Sequence, residues 1–267
     1  AERSGATGPS STVGMVCVSS AVAILHAADL IRRGVCQRVL AGGFEEFSQF
    51  VFTGFFCIGA LASGALRPFD EARDGTSLGE GAVLLTLESL ESAQARGASI
   101  YAELVGSGHA ADAVHMTAPD REGRGLERAI RQAFTEADLS PADVDYLCAH
   151  GTGTIFNDAM ECQAFGRIFE AVRSAGAMPP ISGLKSVFGH TLGAAGALDA
   201  VFTILGMTRG VLPPTVANQT PIQSWDFVQG AGRRGADIRI ALSTNSAFGG
   251  NNSALLFRRW DGEGARG

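Results

Sequence analysis

Apolar positions along the chain follow two rhythms. After residue 17 the segment SSAVAILHAADLIRRG carries apolar residues at helical spacing, with Arg32 and Arg33 in its last turn and Gly34 closing it. That pattern predicts a buried helix entered just past Cys17. RVLAGG (38–43) and AVLLTLE (82–88) are short continuous apolar runs, read as strands of the buried kind, with a Phe-rich stretch at 44–58 between them. IYAELVGSG reads as a further strand that gives way to a polar loop over 109–124. The alternation then repeats: a helix near 123–138, the strand VDYLCAH, a helix from about 158, a short strand at 181–184 and a helix from about 190 to 209. Strands alternating with helices predict an α/β fold with parallel pairing. The terminal DIRIALSTNSAFGGNNSALLFRRW reads as two strands around a glycine turn, which can bring backbone amides close to a ligand. One helix ends in Arg33-Gly34 and another in Arg209-Gly210, a parallel that points to a duplicated βαβ half.

Composition narrows the class. With 267 residues, 46% hydrophobic and 18% charged, the chain buries a substantial core, and disorder is excluded. A formal charge of -6 supplies no basic field for a phosphate backbone, which argues against nucleic acid as a partner. The five cysteines, 17, 36, 57, 148 and 162, contain no C-x-x-C pair, so neither a disulfide framework nor a zinc site is indicated and a reducing cytoplasm fits. No run approaches the roughly 20 apolar residues of a membrane span, and the opening AERSGATGPSSTVG lacks a signal pattern. A chain without an initial Met that leads almost at once into Cys17 reads as a fragment or a processed chain.

Candidate chemistry starts at Cys17. A thiol at a helix N-terminus feels the positive end of the macrodipole, which favours thiolate and makes a nucleophile. The other four cysteines read as structural. In HGTGTIFND, His150 follows directly on a strand and enters a Gly/Thr turn; in KSVFGHTLGAAG, Lys185 precedes His190 and small residues follow. The loop with His109, Asp112, His115 and Thr117 mixes ligand types without a metal-site spacing, so metal is rejected there. DEARD at 70–74 reads as a solvated turn.

Six segments, VCVSS around Cys17, RPFDEARDGTSLGEGA (67–82), YAELVGSGHAADAVHMTAP (101–119), HGTGTIFND with Glu161, KSVFGHTLGAAG and AFGGNN, occur in the order of a known family. The chain resembles the β-ketoacyl synthases of the thiolase fold, the decarboxylating class with a Cys-His-His triad, in the discrete fatty-acid-type or type II polyketide form. The resemblance implies duplicated βαβ halves in a layered α/β/α/β/α architecture, with residues 1–100 as the end of the N-terminal half and 101–267 as the C-terminal half. It implies Cys17 as acceptor of the acyl group and the amides of Cys17 and Phe248 as an oxyanion hole. Phe248, Gly249 and Gly250 would form a gating turn. His150 and His190 would hydrogen-bond the malonyl thioester carbonyl, Lys185 and Glu161 would form a charged pair beside them, and Asp158 would lend support. Thr152 and Thr154 would bind the phosphopantetheine arm, or else cap their turn. The 109–120 loop would be mobile, with Asp112 in its gating. No metal or redox cofactor is implied; substrates would ride on acyl carrier protein, and the enzyme would be a homodimer or a heterodimer with a synthase partner.

The sequence also departs from the pattern. Met15-Val16 stand where the family usually has Thr-Ala, which reshapes the acyl pocket floor. Ala247 replaces a glycine and Ser246 an aromatic of the usual NSFGFGG. Family members carry another half-domain's worth of chain before the cysteine. Three rival readings follow: one piece of a split or partnered synthase, a non-decarboxylating acyltransferase or thiolase-like enzyme, and a purely structural α/β protein. The cysteine argues against a chain-length-factor subunit, and the paired histidines with Lys185 favour decarboxylation.

Overall fold

A computed structural model describes residues 5–170 and 178–262. In chain order the elements are α1 (Ser19–Arg32), β1 (Arg38–Glu45), α2 (Gln49–Cys57), β2 (Gly81–Glu88), α3 (Leu90–Ala95), β3 (Ala102–Ala111), α4 (Arg124–Ala137), β4 (Tyr146–Ala149), α5 (Ile155–Phe165), β5 (Ile181–Gly183), α6 (Lys185–Phe188) and α7 (Ala195–Arg209). There follow β6 (Val211–Leu212), β7 (Arg233–Arg234), β8 (Ile240–Ser246) and β9 (Asn251–Arg259). Five of the strands form one mixed sheet in the order β3-β9-β8-β4-β5. The β8-β4-β5 part is parallel, as the alternation predicts, while β9 runs antiparallel to both β8 and β3.

Strand alternation divides the core. Leu147 and Ala149 of β4 join one hydrophobic cluster, with Leu242, Ala254 and Leu256 from the neighbouring strands; Tyr146 and Cys148 turn to a second, with Ala241, Leu255 and Phe257. Helix α4 covers the first face with Leu126, Ala129, Ile130, Ala133 and Phe134, the i, i+3, i+4, i+7 stripe of an amphipathic helix. The second face receives α1 and α7 side by side. Both end on a left-handed glycine, Gly34 (φ 70) and Gly210 (φ 61), so the shared Arg-Gly endings are shared helix stops.

Beyond α1 and α7 lies the ribbon β1–β2, which corrects two sequence expectations. Its strands pair antiparallel, Arg38 opposite Glu88 through Glu45 opposite Gly81. They are also not buried on both faces: Ala41 packs inward while Leu84 is 72% and Phe44 76% exposed. An apolar run with one uncovered face has the same sequence signature as a fully buried strand. The Phe-rich stretch folds as α2, which buries none of its residues and therefore shows no helical period. DEARD forms a turn with Glu71 and Asp74 exposed, as expected, but Asp70 departs from that reading. Asp70 is buried, and although burial pushes its carboxyl up, the N–H groups of Thr220, Ala72 and Gln219 hold it below its usual range.

Candidate active site

Cys17 sits in a one-turn 3-10 segment, Val16–Val18, that runs into α1. Its turn is tied by Ser19, whose side chain accepts the Met15 N–H and donates to the Val16 carbonyl. Val16 adopts φ 52, a costly conformation for a β-branched residue, and this sharp turn presents the thiol inward. The Sγ atom lies 3.2 Å from His190 Nε2, and the His190 and His150 rings meet edge to face with centroids 5.2 Å apart. The three residues line one cavity of about 300 Å³. The sequence-predicted triad is thus brought together from the 3-10 turn before α1, the end of β4 and the turn after α6.

Each histidine is fixed by its backbone. Gly151 and Gly153 take positive φ after β4, and the buried Glu161 carboxylate accepts the N–H groups of His150 (2.7 Å) and Gly151 (2.8 Å). Asp158 accepts the N–H of Phe69 (2.7 Å) and Gly153 (3.2 Å). His190 is clamped by the 76–79 segment: its N–H donates to the Ser77 carbonyl and its carbonyl accepts the Gly79 N–H.

The expected Lys185–Glu161 pair does not form. Lys185 Nζ donates to Asp199 Oδ2 at 2.8 Å instead, and both side chains are fully buried. Glu161 spends its oxygens on the His150 turn and feels Lys185 only through space. Burial, and then the neighbouring Asp158, push Glu161 up to about 8. Asp199 and Asn245 escaped sequence reasoning. Asn245 Nδ2 donates to Asp199 Oδ2 at 2.7 Å and stands 3.4 Å from His150 Nδ1, so the ion pair reaches the imidazole through one amide. The available signal was a lone acid in the otherwise apolar GAAGALDAVFTIL.

Electrostatics correct the thiolate expectation. Burial pushes the Cys17 thiol from 9.0 up to about 12, against the lowering effect of Lys185 and of the Phe248 and Cys17 N–H groups. That rise corresponds to about 4 kcal/mol, whereas a helix N-terminus offers only about 0.3–1 kcal/mol. Desolvation wins, and the resting group is a thiol. Burial, followed by Lys185, holds both imidazoles well below their usual value, with His190 adding to the effect on His150, so both are neutral. A neutral imidazole beside a thiol can take its proton during attack; a neutral N–H can donate to a developing oxyanion.

The glycine turn borders the cavity through Phe248. The backbone N–H groups of Phe248 and Cys17 lie close enough to the sulfur to favour its charged form. The Phe248 ring stacks on Phe55 at 5.7 Å over the cavity. Gly249 and Gly250 have φ 83 and 73, and the Gly250 carbonyl accepts the Asp112 N–H at 2.7 Å. Asp112 Oδ1 in turn accepts from Asn252 Nδ2 (2.8 Å), and its Oδ2 from the Asp120 N–H (2.9 Å), so the 112–123 loop is tied to the turn. Thr152 and Thr154 face the cavity with hydroxyls 2.9 Å apart. Thr154 occupies the N-cap position of α5 without making a capping bond. In the loop, His115 Nδ1 accepts the N–H groups of Thr117 and Ala118, while His109 lies on β3.

Residues 1–93 match the family model "Beta-ketoacyl synthase, N-terminal domain" and residues 101–219 match "Beta-ketoacyl synthase, C-terminal domain". The chain belongs to the β-ketoacyl synthase family. It is 39% identical over 265 residues to 3-oxoacyl-[acyl-carrier-protein] synthase 2 of Staphylococcus aureus (strain COL), covering 96% of this chain and 63% of that protein. The Rhizobium meliloti (strain 1021) synthase 2 is also 39% identical, with 96% and 62% covered. The chain therefore spans a little under two thirds of the length of these relatives. Among solved structures, a type II PKS acyl-carrier protein in complex with its ketosynthase bound to the hexaketide superimposes with TM-score 0.92, at 34% identity, over 97% of this chain and 65% of that one. The ishigamide ketosynthase/chain length factor gives 0.89 at 38% identity, over 94% and 61%. These matches place the layered architecture in the thiolase-like ketosynthase fold.

Proposed function

We propose that this β-ketoacyl synthase chain carries out decarboxylative condensation of an acyl group held on Cys17 with malonyl-acyl carrier protein, in fatty acid or polyketide synthesis. The observation that carries this reading is Cys17 Sγ at 3.2 Å from His190 Nε2, with the His150 ring edge to face against the His190 ring. In the first half-reaction the thiol attacks the acyl thioester carbonyl, His190 takes the thiol proton, and the carrier leaves as its own thiol with that proton. The N–H groups of Cys17 and Phe248 hold the tetrahedral oxyanion. In the second, malonyl thioester loses CO₂ and leaves an enolate whose oxygen accepts from the two imidazole N–H groups. The enolate carbon attacks acyl-Cys17, the 3-oxoacyl thioester forms, and the released Cys17 thiolate takes a proton from solvent through His190.

Thr152 and Thr154 are assigned to the pantetheine arm because their hydroxyls line the cavity. No step calls for a metal or redox cofactor. We assign residues 1–100 and 101–267 to the two thiolase-like halves, Cys17 in one and both histidines in the other. Unpaired cysteines support a cytoplasmic site, and no helix among the described residues is long and apolar enough to cross a membrane.

A specific observation favours partnered action: Phe44, Phe50 (88% exposed), Phe56 and Leu84 make an apolar surface on the ribbon and α2. The likeness to a ketosynthase/chain length factor structure supports a second copy or a synthase partner for this chain. The test of function is a condensation assay with acyl- and malonyl-carrier thioesters. A 3-oxoacyl product that disappears in His150→Ala and His190→Ala supports the reading; acyl exchange with no loss of CO₂ would favour a non-decarboxylating acyltransferase.

A further inference from the structure

Helix α7 begins without a cap of its own: Ala194 stands at its N-cap position and makes no side-chain bond. Its free N–H groups and those of the turn before it are met from other elements. The Ala197 N–H donates to Ser20 Oγ of α1 at 2.9 Å, and the Gly193 N–H donates to Glu45 Oε2, at the end of β1, at 2.9 Å. That turn carries strain, since Leu192 sits at φ 42, and a strained residue persists only where its surroundings over-determine it. The backbone of β1 closes on the same place: a Cβ on Gly43 would lie 2.8 Å from the Gly193 carbonyl oxygen and 3.2 Å from Ala194 Cα. Leu192 is two residues from His190, so whatever fixes this turn fixes the imidazole that faces Cys17.

We propose that Glu45 is a positioning residue for the condensation site, its carboxylate holding the turn behind His190 and adding a negative charge near Cys17. The proposal rests on the ketosynthase reading for its second readout only. Two fixed charges act on the thiol with opposite signs, Lys185 from α6 lowering its pKa and Glu45 from β1 raising it. The neutral imidazoles of His150 and His190 also stand near it, and Glu46 and Glu80 are the other acids at this end of the ribbon, Glu80 accepting the Phe47 N–H at 3.1 Å. Burial keeps Cys17 protonated at rest, and Glu45 adds to that effect in a smaller measure.

The experiment compares wild type, Glu45→Gln and Glu45→Ala. Iodoacetamide labelling of the Cys17 peptide is followed by mass spectrometry across pH, which needs no carrier protein; acylation of Cys17 by an acyl thioester is the second readout. Both variants should move the labelling profile to lower pH. Acylation should fall on the order of tenfold to a hundredfold in Glu45→Ala, as a misplaced group costs, and less in Glu45→Gln, whose amide oxygen still accepts the Gly193 N–H. If Glu45→Ala does not fold, the Gln profile decides alone. Profiles that coincide for wild type and Glu45→Gln would overturn the charge role, and equal acylation by wild type and a folded Glu45→Ala would overturn the positioning role. Failure of wild type to acylate, with the labelling shift intact, would count against the ketosynthase reading and leave Glu45's effect on the thiol standing.

Discussion

Lys185 Nζ and Asp199 Oδ2 are 2.8 Å apart with both side chains fully buried, and Asn245 links this pair to His150. Removing one partner leaves an uncompensated buried charge. Lys185→Ala should therefore cost about 3–5 kcal/mol of stability, read from the urea midpoint. Pairing it with Asp199→Ala should recover part of that loss, because the second change removes the orphaned carboxylate. A Lys185→Ala midpoint equal to wild type would mean that the pair does not form.

The resting thiol gives a pH signature. Cys17 labelling should keep rising above pH 9.0 rather than level off near neutrality, because its pKa is pushed up to about 12. The linkage has a definite sign: between 9.0 and about 12 the folded state binds the proton that the unfolded state has lost, so stability falls as pH rises through that window. For His150 and His190 the sign reverses. Their folded pKa values lie well below 6.5, so the unfolded chain takes up protons first and stability falls as pH drops below 6.5. Denaturant midpoints across pH check both limbs.

Gly250 is the tightest point of the glycine turn at 248–250. It has φ 73, and a Cβ there would lie 2.9 Å from Asp112 Cβ. Gly250→Ala should cost roughly 1–2 kcal/mol from the left-handed conformation alone and push the 112–123 loop away. Asp112→Ala should loosen the same junction without strain. Faster amide hydrogen exchange over 112–123 and 247–251 in both variants is the expected result; unchanged protection would show that the hydrogen bonds of Asp112 do not hold the turn.

How far the sequence could be read depended on which residues leave a local signature. The α4 stripe from Leu126 to Phe134 and the glycine stops at Gly34 and Gly210 announce themselves through spacing. Cys17, His150 and His190 emerged because each is embedded in a motif of small and polar residues. The Lys185 partner was misassigned because nothing local distinguishes Glu161 from Asp199; only the packing of α6 against α7 decides. The thiolate expectation failed because a helix end is visible in sequence, whereas the burial that outweighs it is a tertiary property. The ribbon β1–β2 was read as doubly buried because an apolar run does not record what covers it. Glu45 stood unremarked in GGFEEFS, since its role appears only once β1 meets the turn after His190.

Cys17 as the acyl acceptor is the central proposal. Intact-protein mass after incubation with an acyl-carrier-protein thioester, wild type against Cys17→Ala, tests it most directly. A mass increase equal to the acyl group in wild type and absent from Cys17→Ala is the predicted result; an adduct that survives the substitution, or none in folded wild type, would contradict it.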